Sequence, residues 1–228
     1  RKGVFHLQPI VSIAIDGPAG AGKSTIAKAL AERLGAIYLD TGAMYRTDAL
    51  YMHDADINGA ESIARAVNDP KIEVQFVNGK QHMLLNGVDV NDRLRTPEAS
   101  MMASRVSAVP AVRERLVALQ REIAAGHAVV MDGRDIGTKV LPNATLKVYL
   151  TASCEVRAER RFAELKESNP DLTLEQVLAD IVERDYNDAH REASPMYQAS
   201  DAIRIDTSNM NRDQVVAAII DLLLKALK

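Results

Sequence analysis

Gly17-Pro18-Ala19-Gly20-Ala21-Gly22-Lys23-Ser24 carries the clearest chemistry in this chain, matching G-x-x-x-x-G-K-[ST] in full. Its glycines let successive backbone N–H groups turn inward around a phosphate, and a helix opening at its end adds about half a positive charge. Lys23 is suited to reach the outer phosphate oxygens, and the Ser24 hydroxyl to hold Mg²⁺. Such a loop takes a nucleoside triphosphate. A second apolar run ends at Asp132, where a carboxylate at a strand end can sit near the same metal ion. Many strands end in Asp, so Asp132 gains its meaning only beside the loop.

Arginines form the next group. Phosphoryl transfer is mostly positioning and charge neutralisation, so it needs guanidiniums from several elements around the moving group. Arg46 follows Thr41-Gly42, Arg134 lies between Asp132 and Asp135, and Arg157, Arg160 and Arg161 cluster. Arg184, Asp188 and Arg191 are spaced four and three, which puts them on one helix face. Any one of these could be an ordinary solvated residue; the set, in a chain with 28 basic and 31 acidic side chains and a net charge of −3, points to anion handling.

The elements that must hold these residues alternate. Residues 11–15 form a short β-branched run before the loop, and Lys23–Leu34 has Ile26, Ala27, Leu30, Ala31 and Leu34 on one stripe, stopped by Gly35. A strand over 36–39 and a helix over 43–51 follow. Around 68–95 the pattern changes to short alternating runs separated by Asn78-Gly79 and Asn86-Gly87, the signature of an antiparallel meander with type I′ turns. Helices are expected over 97–108 and 111–125, strands over 128–131 and 145–150, and a basic helix over 153–166. After a loop at 168–172, Thr173 and Gln176 make a capping box for a helix to about Tyr186. A last strand at 202–205 leads to a helix capped by Asn211 and Gln214, with Val216, Ile219, Ile220, Leu223 and Leu227 as its buried stripe. The sum is an α/β fold: a parallel sheet of about five strands, helices on both faces and one β insert.

Composition narrows the function. The chain has 228 residues, 47% of them apolar, enough for one domain of 11–228 after a short tail of 1–10. Nucleic-acid coating is disfavoured by the acidic balance and by an aromatic set of three Phe, six Tyr and no Trp. Cys154 is alone, which suits a reducing cytoplasm, and no apolar run approaches the roughly 18 residues of a membrane span. The five histidines have no metal-ligand spacing. Signalling GTPases read guanine through N-K-x-D, a tetrapeptide the chain lacks. A small-molecule kinase fits this size best; the open alternatives are acceptors such as UMP, AMP or a small metabolite, or a nucleotide-dependent switch.

The chain resembles the bacterial cytidylate kinases of the nucleoside monophosphate kinase group. The matching stretches are Ile15 to Ser24, Leu39-Asp40-Thr41-Gly42-Ala43-Met44-Tyr45-Arg46, Asp132-Gly133-Arg134-Asp135-Ile136-Gly137-Thr138, Glu183-Arg184-Asp185 with Asp188 and Arg191, and Ser194-Pro195-Met196. The resemblance implies a three-layer P-loop kinase fold with the β insert near the monophosphate site and a helical lid over about 153–173. It implies transfer of the ATP γ-phosphoryl group to CMP or dCMP, with Mg²⁺, by a cytoplasmic monomer. Lys23, Arg134 and Arg191 would be catalytic. Gly17 to Ser24, with Thr25, Arg157 and Arg161, would bind ATP. Thr41, Tyr45, Arg46, Ser104, Arg113, Arg134, Asp135, Arg184 and Asp188 would bind CMP, and Ser24 and Asp132 the metal. Thr41 and Met196 stand where relatives often have Ser and Leu.

Overall fold

The computed structural model describes residues 10–94, 96–167 and 169–228, so the expected tail up to residue 9, the insert boundary at Arg95 and the loop start at Ser168 lie outside the described residues. Five parallel strands form the main sheet in the order β2-β6-β1-β7-β8: β1 (Ser12–Asp16), β2 (Ile37–Asp40), β6 (Val129–Gly133), β7 (Leu146–Thr151) and β8 (Ile203–Asp206). Successive strands leave β1 in opposite directions, to β2 on one side and β7 on the other. That reversal opens a crevice at the carboxyl ends of the central strands, where α/β sheets take their ligands.

Both faces of the sheet are covered. On one, α1 (Lys23–Leu34) and α8 (Arg212–Ala226) bury Ile26, Leu30, Val215, Val216, Ile219 and Leu223 against Ile13, Ile15 and Val148. On the other, α2 (Thr41–Asp54), α4 (Pro97–Val106) and α5 (Pro110–Ala124) bury Met44, Leu50, Val106, Val112 and Leu116 against Ala14, Leu39 and Met131. The last helix turns slightly from its expected stripe: Val215 is buried, Ile220 is half-buried, and Leu227, at the cap after the helix, is 43% exposed. A short helix α3 (Ala60–Arg65), which has no apolar stripe to announce it, precedes the insert.

The insert is a three-stranded antiparallel sheet of β3 (Ile72–Val77), β4 (Lys80–Leu85) and β5 (Val88–Asp89). Its turns have the expected left-handed pairs: φ is 52° at Asn78 and 74° at Gly79, and 52° at Asn86 and 83° at Gly87. Met83 and Leu85 dock it on the α2 side of the core. The remaining hairpin, α6 (Cys154–Leu165) and α7 (Leu174–His190), carries its own small core of Ala158, Val177 and Ile181, with Phe162 packed on it. Thr173 and Gln176 form both bonds of the capping box, as do Asn211 and Gln214. No described helix is long and apolar enough to cross a membrane.

Gly17 turns the chain off β1 at φ +146°, and a Cβ there would lie 2.0 Å from the Leu150 carbonyl oxygen on β7. Gly17→Ala is therefore expected to cost about 1–3 kcal/mol in backbone strain alone, with the clash added. Thermal melting should show a drop of several degrees; a wild-type Tm would contradict this view of the turn.

Candidate functional site

A cleft of about 530 Å³ opens at the carboxyl ends of β1, β2 and β6. One wall is the glycine loop, whose Gly20 and Gly22 have φ of +75° and +85°. Gly22 stands at the N-cap of α1 without a side chain to cap the helix, so the first-turn amides face the cleft mouth free of a competing side-chain acceptor. Lys23 is buried and its Nζ donates to the Pro18 carbonyl at 2.6 Å. Burial, reinforced by the Arg134 charge, pushes its ammonium below the ordinary lysine value. An anion arriving in the loop would relieve both effects.

Asp132, next to last in β6, lies beneath this wall. Its Oδ2 accepts from Ser24 Oγ at 2.8 Å, its Oδ1 from Tyr38 Oη at 2.8 Å, and its backbone carbonyl from Thr41 Oγ1 at 2.7 Å. Burial, with Asp40 nearby, holds the Asp132 carboxyl above the usual carboxylate range. Register explains the neighbours, since Asp40 pairs with Asp132 and Tyr38 lies two residues earlier on the same face of β2. The hydroxyl and carboxylate of Ser24 and Asp132 are hard oxygen donors of the kind Mg²⁺ takes alongside substrate phosphates.

The opposite wall is cationic. Asp40 caps α2, accepting from the Ala43 amide at 2.9 Å, and takes Arg46 Nη2 at 3.1 Å. This cap starts α2 at Thr41, two residues earlier than periodicity alone predicts. Gln81 of the insert brackets the Asp40 backbone, accepting from its amide at 2.7 Å and donating to its carbonyl at 3.1 Å. Arg134 Nε donates to Asp188 Oδ2 at 2.8 Å, and Arg191 Nη1 reaches Asp188 Oδ1 at 3.4 Å. Arg113, from α5, pairs with Asp135 in a buried contact and lies 5.2 Å over the Tyr45 ring. Arg184 is the most exposed to repulsion: burial and then the Arg134 charge bring its guanidinium down to about 10, with Arg161 and Arg46 adding to the effect. Nε of Arg46, Arg113 and Arg184 and Nη2 of Arg191 are buried without a partner. Buried donors that lack acceptors are costly, and here they converge on one cleft.

Of the residues named from sequence, Ala19, Gly20, Gly22, Lys23, Ser24, Thr25 and Arg161 line the glycine-loop side. Thr41, Tyr45, Arg46, Ser104, Arg113, Asp132, Arg134, Asp135, Arg184, Asp188 and Arg191 line the rest. Gly17, Pro18 and Ala21 shape the loop from behind. Arg157 differs from expectation: it is 4% exposed, lies behind the loop rather than in the cleft, and spends its donors on Ala152, Ala19, Cys154 and Asp185. Asp16, Tyr38, Asp40 and Gln81 support the site without having been picked out. Asp16 shares with Asp132 the signature of a carboxylate ending an apolar strand, which could have found it.

The family described as cytidylate kinase matches residues 13–225. A cytidylate kinase of Caldicellulosiruptor bescii is 48% identical over 220 residues, covering 96% of this chain and 97% of the relative. Those of Lactobacillus gasseri, 48% identical over 230 residues, and Fervidobacterium nodosum, 49% over 212, cover 100% and 92% of this chain and 99% and 94% of their own lengths. Among solved structures, an uncharacterized protein from Eubacterium ventriosum covers 95% of this chain and 99% of its own at 14% identity and a TM-score of 0.53. That likeness bears on the fold alone.

Tyr38→Phe removes a donor from a buried carboxylate. The expected loss is about 1.5–3 kcal/mol, read as a Tm lower by roughly 3–10 °C; an unchanged Tm would show that the bond contributes nothing.

Proposed function

This chain belongs to the cytidylate kinase family, and on that footing we propose that its cleft transfers the ATP γ-phosphoryl group to CMP or dCMP, giving ADP and CDP or dCDP. The observation that carries the reading is the pairing, across one cleft, of a Ser24–Asp132 bond beneath a glycine loop with a wall of underpartnered guanidiniums.

The triphosphate lies in the loop from Gly17 to Thr25. Lys23 leaves the Pro18 carbonyl and neutralises the outer phosphates, and Arg161 covers them from α6. Ser24 and Asp132 would hold Mg²⁺, which supplies charge neutralisation and a fixed frame for the phosphates. The acceptor phosphate lies among Thr41, Arg46 and Arg134, with Tyr45 along its pocket. Asp135 accepts from the exocyclic amine of cytosine, a group uracil replaces with an acceptor. Arg113 fixes that carboxylate from behind, and Ser104 completes the base edge. Arg184 and Asp188 contact the sugar.

An acceptor phosphate oxygen attacks the γ-phosphorus in line, while the bond to the β–γ bridging oxygen breaks and its electron pair leaves with ADP. No strong general base is required, since a phosphate monoester near pH 7 is already largely ionised. Arg134 and Arg191 hold the transferring group, whose equatorial charge is where preset donors act best. The lid of 153–173 excludes water, so that ATP is not hydrolysed, and the insert of 68–95 braces the acceptor side through Gln81. Action as a monomer is part of the proposal, and the lone Cys154 supports a cytoplasmic setting.

Coupled ADP release with CMP, dCMP, UMP and AMP tests the assignment. Stimulation by CMP and dCMP, lost on chelating Mg²⁺, is expected; no CMP-dependent ADP would reject it. Lys23→Ala should lower kcat by about 100-fold or more with the fold intact. Asp135→Ala should reduce kcat/KM for CMP about tenfold more than for UMP, and equal losses would remove Asp135 from base recognition.

A further inference from the structure

The nucleotide loop has a support that its own motif does not contain. The Ala19 amide donates to Asp185 Oδ1 at 3.3 Å, and the Ala19 carbonyl accepts from Arg157 Nη1 at 2.8 Å. The two side chains also close on each other, Arg157 Nη1 to Asp185 Oδ2 at 2.6 Å. One ion pair therefore holds both polar groups of a residue in the middle of the loop. Arg157 comes from the first turn of α6 and Asp185 from the fourth turn of α7, so the α6–α7 hairpin is what grips the loop.

The grip is tight. Arg157 Nε donates to the Ala152 carbonyl at 3.0 Å and Nη2 to Cys154 Sγ at 3.0 Å, so the guanidinium is occupied on all three nitrogens. A Cβ on Gly20 would lie 3.0 Å from both the Cβ and the carbonyl oxygen of Arg157, at a φ of +75°. The loop thus rests on the first turn of α6 with no room for a side chain between them. Removing one member of such a pair leaves the other charge buried and unmatched.

We propose that Arg157 and Asp185 form a latch that presets the nucleotide loop, making ATP affinity depend on how the α6–α7 hairpin is seated. Both are positioning residues: they act on ATP through the Ala19 peptide. Arg184 and Asp188, which line the cleft, flank Asp185 on α7, whereas the latch contacts reach only the Ala19 peptide of the loop. The proposal rests on the reading that the loop takes ATP. It differs from a lid arginine that touches phosphate directly.

Equilibrium binding of MgATP without acceptor, on wild type, Arg157→Met, Asp185→Asn and the double variant, tests it. The latch predicts that each single variant weakens ATP binding about tenfold and that the double variant is no worse than the singles. In turnover, KM for ATP should rise by the same factor while kcat and KM for CMP stay within about twofold. Asp185→Glu, which keeps the charge, should recover most of the affinity. A large loss for Arg157→Met with little for Asp185→Asn, adding up in the double variant, would overturn the latch in favour of direct phosphate contact. Unchanged affinity in both singles would overturn it outright. Amide exchange in the wild type needs neither variant nor nucleotide: Ala19 should exchange more slowly than Gly20, and equal rates would contradict the latch. Wild type that binds no ATP but protects Ala19 would instead sink the nucleotide assignment.

Discussion

The carboxyl end of β1 is the point on which the site depends. The Asp16 carboxylate accepts from the Ile136 and Gly137 amides, each at 2.7 Å, and the next residue, Gly17, turns the chain into the nucleotide loop. Burial drives the Asp16 carboxyl up to about 6 against the pull of those two amides, so the fold keeps a carboxylate where desolvation opposes it. What it gains is geometric. The loop and the Arg134–Asp135 segment, each proposed to take one substrate, are tied to adjacent residues, and their separation follows from the register of β1 and β6. Phosphoryl transfer rests mainly on positioning, so this spacing is a functional quantity.

Around that anchor basic side chains outnumber acidic ones in the lining of the cleft. Burial works to raise the Asp188 carboxyl, yet Arg134, with Arg191 and Arg184, holds it below the ordinary value. One aspartate thus serves as the resting partner for two guanidiniums. Arg184, Arg46 and part of Arg191 remain underpartnered, and Lys23 falls back on a carbonyl. Such a site is preorganised: its donors are held by packing before substrate arrives, and the arriving phosphates complete the charge balance.

Much of this was legible where one residue type enforces one local geometry. Asn78-Gly79 and Asn86-Gly87 gave the meander because few other pairs accept two positive φ angles, and the Thr173 and Asn211 boxes marked helix starts to the residue. The glycine loop and most of the arginines named from sequence do line one cleft, since a G-x-x-x-x-G-K-[ST] turn between a strand and a helix has a narrow geometry. What escaped depends on register or on distant packing. Tyr38 meets Asp132 only because β2 pairs with β6, and Gln81 reaches Asp40 only because the insert folds back. Arg157 shares its helix with Arg161, yet burial behind Ala19 gives it different partners, and no spacing rule carries that information. The six-residue α3 lacks a stripe because it is too short to bury one.

A crystal structure with MgADP and CMP tests the central claim most directly. The account predicts the ADP phosphates inside the loop, Lys23 Nζ moved from the Pro18 carbonyl onto a phosphate oxygen, and the CMP phosphate among Thr41, Arg46 and Arg134. Lys23 still on Pro18, with both nucleotides bound away from the carboxyl end of β1, would contradict it.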